Sequence, residues 1–200
     1  KARKPCGFVY WEYLLAYVDD ILIISHQPHV VIDSLSQHVT FKPGSVEPPK
    51  SYLGADVFQI TVHDGNQDSP MKQVWCMSAT EYVKRAIEEV ERELALEDAY
   101  LPKRTETPLS SGYRPELDVS LELEGSKVNY YQGLIGILRW IVELGRIDLI
   151  VPASLLSRYM MSPREGHLQQ CYHMFAYLKQ FNRSRLVFDD IEPDLSEYYF

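Results

Sequence analysis

The stretch that decides the fold is Leu14-Leu15-Ala16-Tyr17-Val18-Asp19-Asp20-Ile21-Leu22-Ile23. Apolar residues flank two adjacent aspartates, a pattern that predicts two strands, residues 8–18 and 21–25, joined by a tight turn at Asp19-Asp20. Asp tolerates the positive φ angles that two-residue hairpin turns require. Because continuous apolar sequence is typical of strands covered on both faces, we expect a buried β-ribbon with an acidic tip.

The acidic tip is the main candidate for chemistry. Two carboxylates about 4 Å apart repel each other by roughly 4 kcal/mol at an effective dielectric of about 20. Mg²⁺ removes that repulsion, and it prefers a few carboxylates together with water and substrate phosphates. The alternative is that Asp19 and Asp20 only fill a solvent-exposed turn, and both interpretations stay open at this point.

Composition bounds the class of protein. The 200 residues suit one domain or two small subdomains, and a content of 46% hydrophobic and 12% aromatic residues is typical of a globular chain. The formal net charge of −8 argues against a nucleic-acid partner. It does not exclude one, because basic residues slightly outnumber acidic residues between Arg139 and Arg185.

Cysteine spacing and hydropathy predict the compartment. The widely separated Cys6, Cys76 and Cys171 lack zinc-ligand spacing, so we expect reduced thiols in an intracellular protein, with cytoplasm and nucleus both open. No secretory signal is recognisable. Charged residues interrupt the apolar residues 8–24, so we expect no membrane partner.

The rest of the chain alternates strand-like and helix-like patterns. A helix is predicted over residues 28–38, and the capping pattern Ser78-Ala79-Thr80-Glu81 opens a longer one. Prolines and polar residues at positions 97–127 mark a long connection, which we interpret as the subdomain boundary. The other predicted elements are strands at 52–63 and 72–77 around a turn at Asp64-Gly65-Asn66, helices at 130–144, 148–161 and 163–180, and a strand at 186–188.

The hairpin stretch resembles the palm hairpin of copia-type LTR-retrotransposon reverse transcriptases. Further landmarks similar to that family follow in its order, and the ordered set covers roughly residues 13–179. They are Tyr52-Leu53-Gly54 (an FLG-type strand), Tyr82-Val83-Lys84-Arg85 (the first thumb helix), Thr107-Pro108-Leu109 (the TP loop), residues 131–140 with Arg146-Ile147-Asp148, residues 156–160, His167, and Tyr177-Leu178-Lys179. Each landmark is weak alone, but their order is specific.

The resemblance implies an α+β fold, in which a partial reverse-transcriptase palm is followed by a thumb and a mainly helical connection region. Residues 1–63 would form the partial palm with the catalytic hairpin and the primer-grip strand. Residues 64–128 would form the thumb region and a proline-rich connection, and residues 129–183 the helical connection region. Residues 184–200 are either the start of a ribonuclease H-like domain or a tail.

The resemblance also implies RNA-directed DNA polymerisation by two-magnesium nucleotidyl transfer. Asp19 and Asp20 would be the catalytic carboxylates that bind Mg²⁺, and Lys42 would lie near the incoming pyrophosphate as a general acid. The implied partners are an RNA or DNA template with its primer, deoxynucleoside triphosphates, and the rest of the retrotransposon polyprotein. The residues implied in primer or template binding are Tyr17, Val18, Tyr52, Leu53, Gly54, Lys84 and Arg85.

Simpler interpretations stand beside several of these roles. Lys42 is equally an exposed loop lysine, and Gly54 is equally an ordinary glycine at a strand bulge. Lys84 and Arg85 also fit a solvated helix face.

Arginines and tryptophans elsewhere in the chain have two readings as well. Arg139, Arg146 and Arg158 either line the template-primer or pair with Glu143 and Asp148. Trp11, Trp75 and Trp140 are more often core residues than base-stacking platforms.

The chain departs from the family in ways that bear on activity. Residues 1–12 contain neither the earlier acidic palm strand nor the fingers, Ile147 stands where the family has Pro, and Leu168 stands where it has Trp. Two carboxylates without a third ligand should bind Mg²⁺ poorly. We therefore predict no polymerase activity for this chain alone, and the alternative is a non-catalytic remnant that acts at most as a nucleic-acid-binding or interaction module.

Overall fold

The computed structural model describes residues 2–3, 9–10, 12–63 and 71–188. The chain divides into two compact units, Lys1–Leu53 (unit 1) and Gly54–Phe200 (unit 2). This division lies ten residues before the boundary at 63 that the sequence predicts, and it does not fall in the connection at 97–127. The predicted turn Asp64-Gly65-Asn66 and most of residues 184–200 lie outside the described residues.

Unit 1 consists of short antiparallel strands and one helix. Strand β1 pairs with β2, and β3 pairs with β4, each in antiparallel register. The elements are β1 Ala2–Arg3, β2 Val9–Tyr10, β3 Tyr13–Tyr17, β4 Asp20–Ile24, α1 Pro28–Ser36 and β5 Ser51–Tyr52.

The hairpin of β3 and β4 confirms the predicted strand pair but shifts its turn. Tyr17 pairs with Asp20, so the two turn residues are Val18 and Asp19 rather than Asp19 and Asp20. The positive φ of this turn, 53°, belongs to Val18. The predicted turn position was wrong because the pairing register, which the apolar pattern leaves open by one residue, decides which two residues remain unpaired.

The predicted burial of this ribbon was also wrong. All five residues of β3 are exposed, and β4 contains no fully buried residue. Leu14 is 45% exposed and Ile24 is 54% exposed. No residue between positions 12 and 53 is fully buried. The apolar sequence therefore predicts strands that are covered, whereas this part of unit 1 does not cover them.

Unit 2 is a mixed unit in which four helices pack with a small antiparallel sheet. The sheet runs β6-β7-β8, with every described neighbouring pair antiparallel. The elements are β6 Ala55–Val62, β7 Lys72–Ser78, α2 Thr80–Leu96, a 3₁₀ turn Pro115–Leu117, α3 Ser126–Glu143, a 3₁₀ turn Ile147–Leu149, α4 Ile150–Ser157, α5 Glu165–Gln180 and β8 Leu186–Phe188. The assignment of these elements to a palm, thumb or connection stays a prediction.

Helical stripes build the core of unit 2. On α2, Val83, Val90 and Leu94 lie on one face and are at most 5% exposed, which is the spacing of an amphipathic helix. The longest helix, α3, contributes a buried Tyr131, whose hydroxyl donates a 2.7 Å hydrogen bond to the Leu156 carbonyl of α4. Fully buried side chains from α5 complete the core.

Three helices begin differently from their predicted caps or start positions. Helix α2 begins at Thr80 without a side-chain cap, and the Ser78 hydroxyl donates to the Ser184 carbonyl at 2.9 Å while it accepts the Thr80 backbone N–H at 3.3 Å. Helix α3 begins one turn before residue 130, after Gly125, whose φ of 57° suits glycine. Helix α5 begins at Glu165, and the backbone N–H of Arg164 donates to the His167 ring.

Hydrogen bonds fasten the proline-containing connection 97–127 to α5. The Asp118 carboxylate accepts hydrogen bonds from the Tyr113 hydroxyl at 2.6 Å and from the Ser120 hydroxyl at 2.5 Å. Ser120 in turn accepts the Gly166 backbone N–H at 2.8 Å. Burial alone would raise the pKa of Asp118, but these hydrogen bonds outweigh burial and hold its pKa below the usual value.

Over the described ranges, no helix combines the length and the apolar character that crossing a bilayer demands.

Candidate functional site

The candidate site is the tip of the β3–β4 hairpin. Tyr17 ends β3 and Asp20 begins β4 directly opposite, so four sequence-predicted residues, Tyr17, Val18, Asp19 and Asp20, lie together within one turn. Both aspartates are exposed, and Val18 is 94% exposed. The geometry therefore presents two adjacent carboxylates outward at the end of a ribbon.

Exposure changes the electrostatics that the sequence predicted for this pair. Two carboxylates about 4 Å apart repel by about 1 kcal/mol in bulk water and by roughly 4 kcal/mol at the effective dielectric of about 20 near a protein surface, so full exposure moves the pair toward the lower value. The hairpin tolerates Asp19 and Asp20 without a cation, and the solvated-turn interpretation is energetically sufficient. The fold of the hairpin therefore does not require a cation at its tip.

Other potential metal ligands are scarce near the tip. Glu12 accepts a hydrogen bond from the Ser25 hydroxyl one step beyond the Tyr13–Ile24 pair, at the opposite end of the ribbon. Glu12 lies five residue steps from Tyr17 along the strand, a distance of about 16 Å. Within the described ranges no group of three or more His, Cys, Asp or Glu side chains could hold a metal ion. At the tip itself, Asp19 and Asp20 are the two candidate Mg²⁺ ligands, and the described residues supply no third ligand beside them.

Backbone strain occurs at two of the predicted contact residues. Val18 has a φ of 53° and Leu53 a φ of 54°, the left-handed region that L-residues adopt at a cost of about 1–2 kcal/mol. For the β-branched Val18 this conformation is an outlier. Strain of this kind persists where the surrounding chain enforces it, and it is frequent at ligand-binding turns.

The remaining predicted residues of unit 1 and its border lie in loops and turns. Lys42 is exposed, and its carbonyl accepts the Ser45 backbone N–H at 3.0 Å, which closes a turn. Tyr52 ends β5, and Leu53 and Gly54 form the next turn, where Gly54 has a φ of 88°. The positive φ of this turn suits glycine at position 54.

Lys84 and Arg85 lie in unit 2 and pair within their own helix. The Lys84 ammonium is 2.6 Å from the Glu81 carboxylate, and Arg85 Nε donates to the Glu81 carbonyl at 3.4 Å. Both side chains are exposed on α2. This arrangement fits the solvated helix face, although exposed ion pairs exchange easily and leave both cations able to meet a phosphate.

Arg146 is a structural residue that pairs with Asp148, as the second of its two interpretations predicts. It is 2% exposed, and Nε and Nη2 donate to the Asp148 carboxylate at 2.9 and 2.7 Å. Nη1 donates to the Phe181 carbonyl at 2.9 Å. Burial would raise the pKa of Asp148, but the hydrogen bonds and charge of Arg146 outweigh it and lower the pKa. Arg139 and Arg158 remain exposed.

Two features escaped the sequence reasoning. Trp75 is 38% exposed on the sheet instead of in the core, and only the strand register reveals its neighbours. His167 is 1% exposed and accepts the Arg164 N–H through Nδ1, so its Nε2–H donates to the Pro115 carbonyl at 3.1 Å. No periodicity or motif in the sequence predicts neighbours and hydrogen-bond partners that lie so far apart along the chain.

A cavity of about 470 Å³ in unit 2 contains none of the predicted site residues. It lies between the end of α2 and the start of α5. Its lining includes Leu94, Tyr100, Leu123, Lys127 and Tyr172. The acidic tip and this cavity are therefore separate features of the chain.

Comparison with known proteins relates the chain to transposon proteins. It is 27% identical over 168 residues to the "Putative transposon Ty5-1 protein" of Saccharomyces cerevisiae, covering 83% of this chain and 48% of the relative. It is 26% identical over 171 residues to the "Retrovirus-related Pol polyprotein from transposon RE1" of Arabidopsis thaliana, covering 83% of this chain and 10% of the relative.

The chain thus spans about half of one of these relatives and a tenth of the other. No protein-family model matches it, and no solved structure matches it. The similarity to a transposon Ty5-1 protein and to a Pol polyprotein relates this chain to retrotransposon polyproteins at low identity.

Proposed function

We propose that this chain is a fragment of a copia-type retrotransposon reverse transcriptase, with Asp19 and Asp20 as metal-binding carboxylates of an RNA-directed DNA polymerase. The observation that carries the proposal is the register Tyr17–Asp20, which leaves both acids exposed at the tip of a two-stranded hairpin. The relation to retrotransposon polyproteins supports it independently.

Each residue near the tip has a part in the proposed reaction. Asp19 and Asp20 hold the Mg²⁺ ions, which supply activation of the primer 3′-hydroxyl and stabilisation of the leaving pyrophosphate. Tyr17 and Val18 contact the primer terminus and the adjacent base or ribose. Lys42 donates a proton to the pyrophosphate as a general acid.

Residues beyond the tip hold the nucleic acid in this proposal. Tyr52, Leu53 and Gly54 form the primer grip, where the glycine turn allows the backbone to approach the primer strand closely. Lys84 and Arg85 meet template or primer phosphates by exchanging their Glu81 contacts for phosphate oxygens.

The isolated chain is predicted to be inactive. Mg²⁺ needs near-octahedral coordination, and two exposed carboxylates compete poorly with water for it. The polymerase proposal therefore applies to a longer polyprotein that supplies a further acidic ligand and the nucleotide-binding fingers.

Primer extension tests the proposal. Incorporation of labelled nucleotide on poly(rA)/oligo(dT) with Mg²⁺ is measured for this chain and for the chain joined to the upstream sequence of its own element. We expect no incorporation by the chain alone and incorporation by the longer form. In the longer form, Asp19→Asn should lower the rate at least about a hundredfold. Asp33→Asn, an exposed aspartate on α1 of the same unit, is the matched control and should leave the rate unchanged.

The outcomes separate the parts of the proposal. Incorporation by the isolated chain contradicts the predicted inactivity, and an active Asp19→Asn variant contradicts the site assignment. A folded longer form that never incorporates nucleotide favours the second candidate, a non-catalytic remnant that binds nucleic acid or a protein partner. The small repulsion between the exposed aspartates favours that candidate, because the turn is stable without any metal-dependent role.

A further inference from the structure

The cavity of about 470 Å³ in unit 2 has an apolar floor. Leu94 of α2, Leu123 of the connection 97–127 and Leu168 of α5 line it, and all three are buried. Tyr172 of α5 adds a buried aromatic ring to the lining. Cavities of about 300–1,000 Å³ with mainly apolar walls are typical of ligand sites. The floor can therefore cover the non-polar part of a bound molecule.

The rim of the same cavity is acidic. Glu97 at the end of α2 and Glu165 at the start of α5 line it, are exposed, and form no ion pair with a described cation. Asp98 adds a carboxylate beside the rim, where it accepts the Tyr100 hydroxyl at 3.4 Å. Among the described residues that line the cavity, Lys127 is the one cation. The rim thus carries an excess of negative charge.

The two helix ends at this cavity also favour a cation over an anion. Helix α2 ends here and has no basic residue in its last turn, so the partial negative charge of its carbonyl end is not compensated on the helix. Helix α5 begins here, but its first donors are occupied. The Glu165 N–H donates to the Leu121 carbonyl at 2.9 Å, and the Gly166 N–H donates to Ser120 Oγ at 2.8 Å. The Asp118 carboxylate lies so close that it would overlap a Cβ at Gly166, so a bound anion would also meet a negative charge.

The Glu97 carboxylate is close enough to the aromatic wall to act on it. Burial raises the pKa of Tyr172 and of Tyr130, and the negative charge of Glu97 contributes to raising both. The centroids of these two rings are 6.5 Å apart. A negative charge that disfavours a phenolate at this wall stabilises a positive charge held there.

We propose that this cavity binds a lysine or arginine side chain of a basic peptide segment in a partner protein. The aliphatic stem lies on the leucine floor, and the ammonium or guanidinium group lies at Glu97 and Glu165. Long cationic side chains combine an apolar stem with a charged head, and aromatic rings attract that head. The site belongs to unit 2 and does not rest on the proposed Asp19–Asp20 chemistry.

Fluorescence anisotropy of a labelled hexapeptide of alternating leucine and arginine tests the proposal. The full chain is titrated at low salt with EDTA and without nucleic acid, so a failure here is distinct from a failure of the polymerase proposal. Two control peptides replace arginine with citrulline, which has nearly the same shape without the charge, or with glutamate. We expect saturable binding of the arginine peptide, binding of the citrulline peptide that is about tenfold weaker or less, and no binding of the glutamate peptide.

Matched variants locate the site. The double variant Glu97→Gln with Glu165→Gln should weaken binding of the arginine peptide about tenfold. Glu88→Gln with Glu116→Gln removes the same charge at exposed positions outside the cavity lining, and this control should bind as the wild type does. Lys127→Gln removes the cation of the lining and should strengthen binding about twofold.

The outcomes that overturn the proposal are distinct. Absence of binding by the wild type is one, and equal binding of the arginine and citrulline peptides is another. An equal loss in the two double variants is a third, because it would show attraction to the overall negative charge alone. Thermal unfolding of each variant verifies its fold. Tyr100→Leu removes an exposed ring of the lining, should weaken binding about threefold, and serves if the Glu97 and Glu165 variant does not fold.

Discussion

Replacing Arg146 with alanine tests the energetics of unit 2 most directly. The Arg146 side chain is 3% exposed and donates three hydrogen bonds, two to Asp148 and one to the Phe181 carbonyl. Removing one partner of a buried ion pair costs roughly 3–5 kcal/mol. The Asp148 side chain is 37% exposed, so water compensates part of the loss. We therefore expect Arg146→Ala to lower the free energy of unfolding by about 2–3 kcal/mol.

Far-UV circular dichroism during thermal unfolding measures this change. Helices α2 to α5 all belong to unit 2, so the helical signal reports mainly on that unit. The expected loss corresponds to a decrease in Tm of roughly 6–12 °C. Arg146→Lys keeps the charge but loses the bidentate geometry, so its Tm should lie between those of the wild type and Arg146→Ala. The matched control is Arg104→Ala, whose pair with Glu106 is 78% and 76% exposed, and it should change stability by less than about 0.5 kcal/mol.

The same pair gives a pH dependence of known sign. Despite its burial, the bonds from Arg146 lower the pKa of Asp148 below the ordinary value of 3.8. The stabilisation is therefore fully present above about pH 4 and is lost as the pH falls through the lower folded-state pKa. Wild type and Arg146→Ala should converge in acid. An equal loss of unfolding free energy in Arg146→Ala and Arg104→Ala at neutral pH refutes the reasoning. A stability difference between wild type and Arg146→Ala that persists unchanged near pH 2 refutes it as well.

Three further predictions concern single positions. Gly145→Ala should lower the Tm at a cost of about 1–3 kcal/mol, because φ is 107° and a Cβ would meet Leu186. Gly133→Ala, which has open space on α3, should be neutral or stabilising in the same assay, and equal losses contradict the assignment. Val18→Asn should slow amide hydrogen exchange in the β3–β4 hairpin about fivefold or more, because Asn adopts a positive φ more easily than Val, and unchanged exchange argues against strain at Val18. The Cys171 thiol, whose pKa burial raises, should resist alkylation near pH 8 in the native chain and react in urea, and rapid native labelling contradicts the buried position.

The sequence predicts the helices of unit 2 well because their information is local. An apolar stripe such as that of Ala86, Val90 and Leu94 identifies a helix wherever its partner lies. Helix starts were less predictable, because residues distant in sequence help to satisfy the free N–H groups of a first turn. The Ser120 hydroxyl, 46 residues from Gly166 in sequence, accepts the Gly166 N–H in the first turn of α5, and no local pattern encodes that contact.

The candidate site shows the same division between local and long-range information. The existence of the hairpin followed from the apolar runs on both sides of Asp19-Asp20. The turn position depended on the pairing register, and the apolar pattern fits two turn positions one residue apart almost equally well. The prediction that these strands are buried was wrong for a different reason. Apolar composition predicts that β3 and β4 would gain free energy by being covered, whereas whether anything covers them is not a property of those strands.

Exposure of the hairpin gives a physical reason for the predicted inactivity of the isolated chain. In water the Asp19–Asp20 repulsion is about 1 kcal/mol, so a cation at the tip gains little by relieving it. If substrate or a covering segment excludes water, the repulsion rises to roughly 4 kcal/mol, and binding of Mg²⁺ then relieves a substantial penalty. Metal affinity at the tip should therefore depend on what covers the ribbon. A Mg²⁺ titration could find equally tight binding to the isolated chain and to a longer form in which the ribbon is covered. That result would show that metal binding does not depend on the exclusion of water, and it would remove the physical basis of the polymerase proposal.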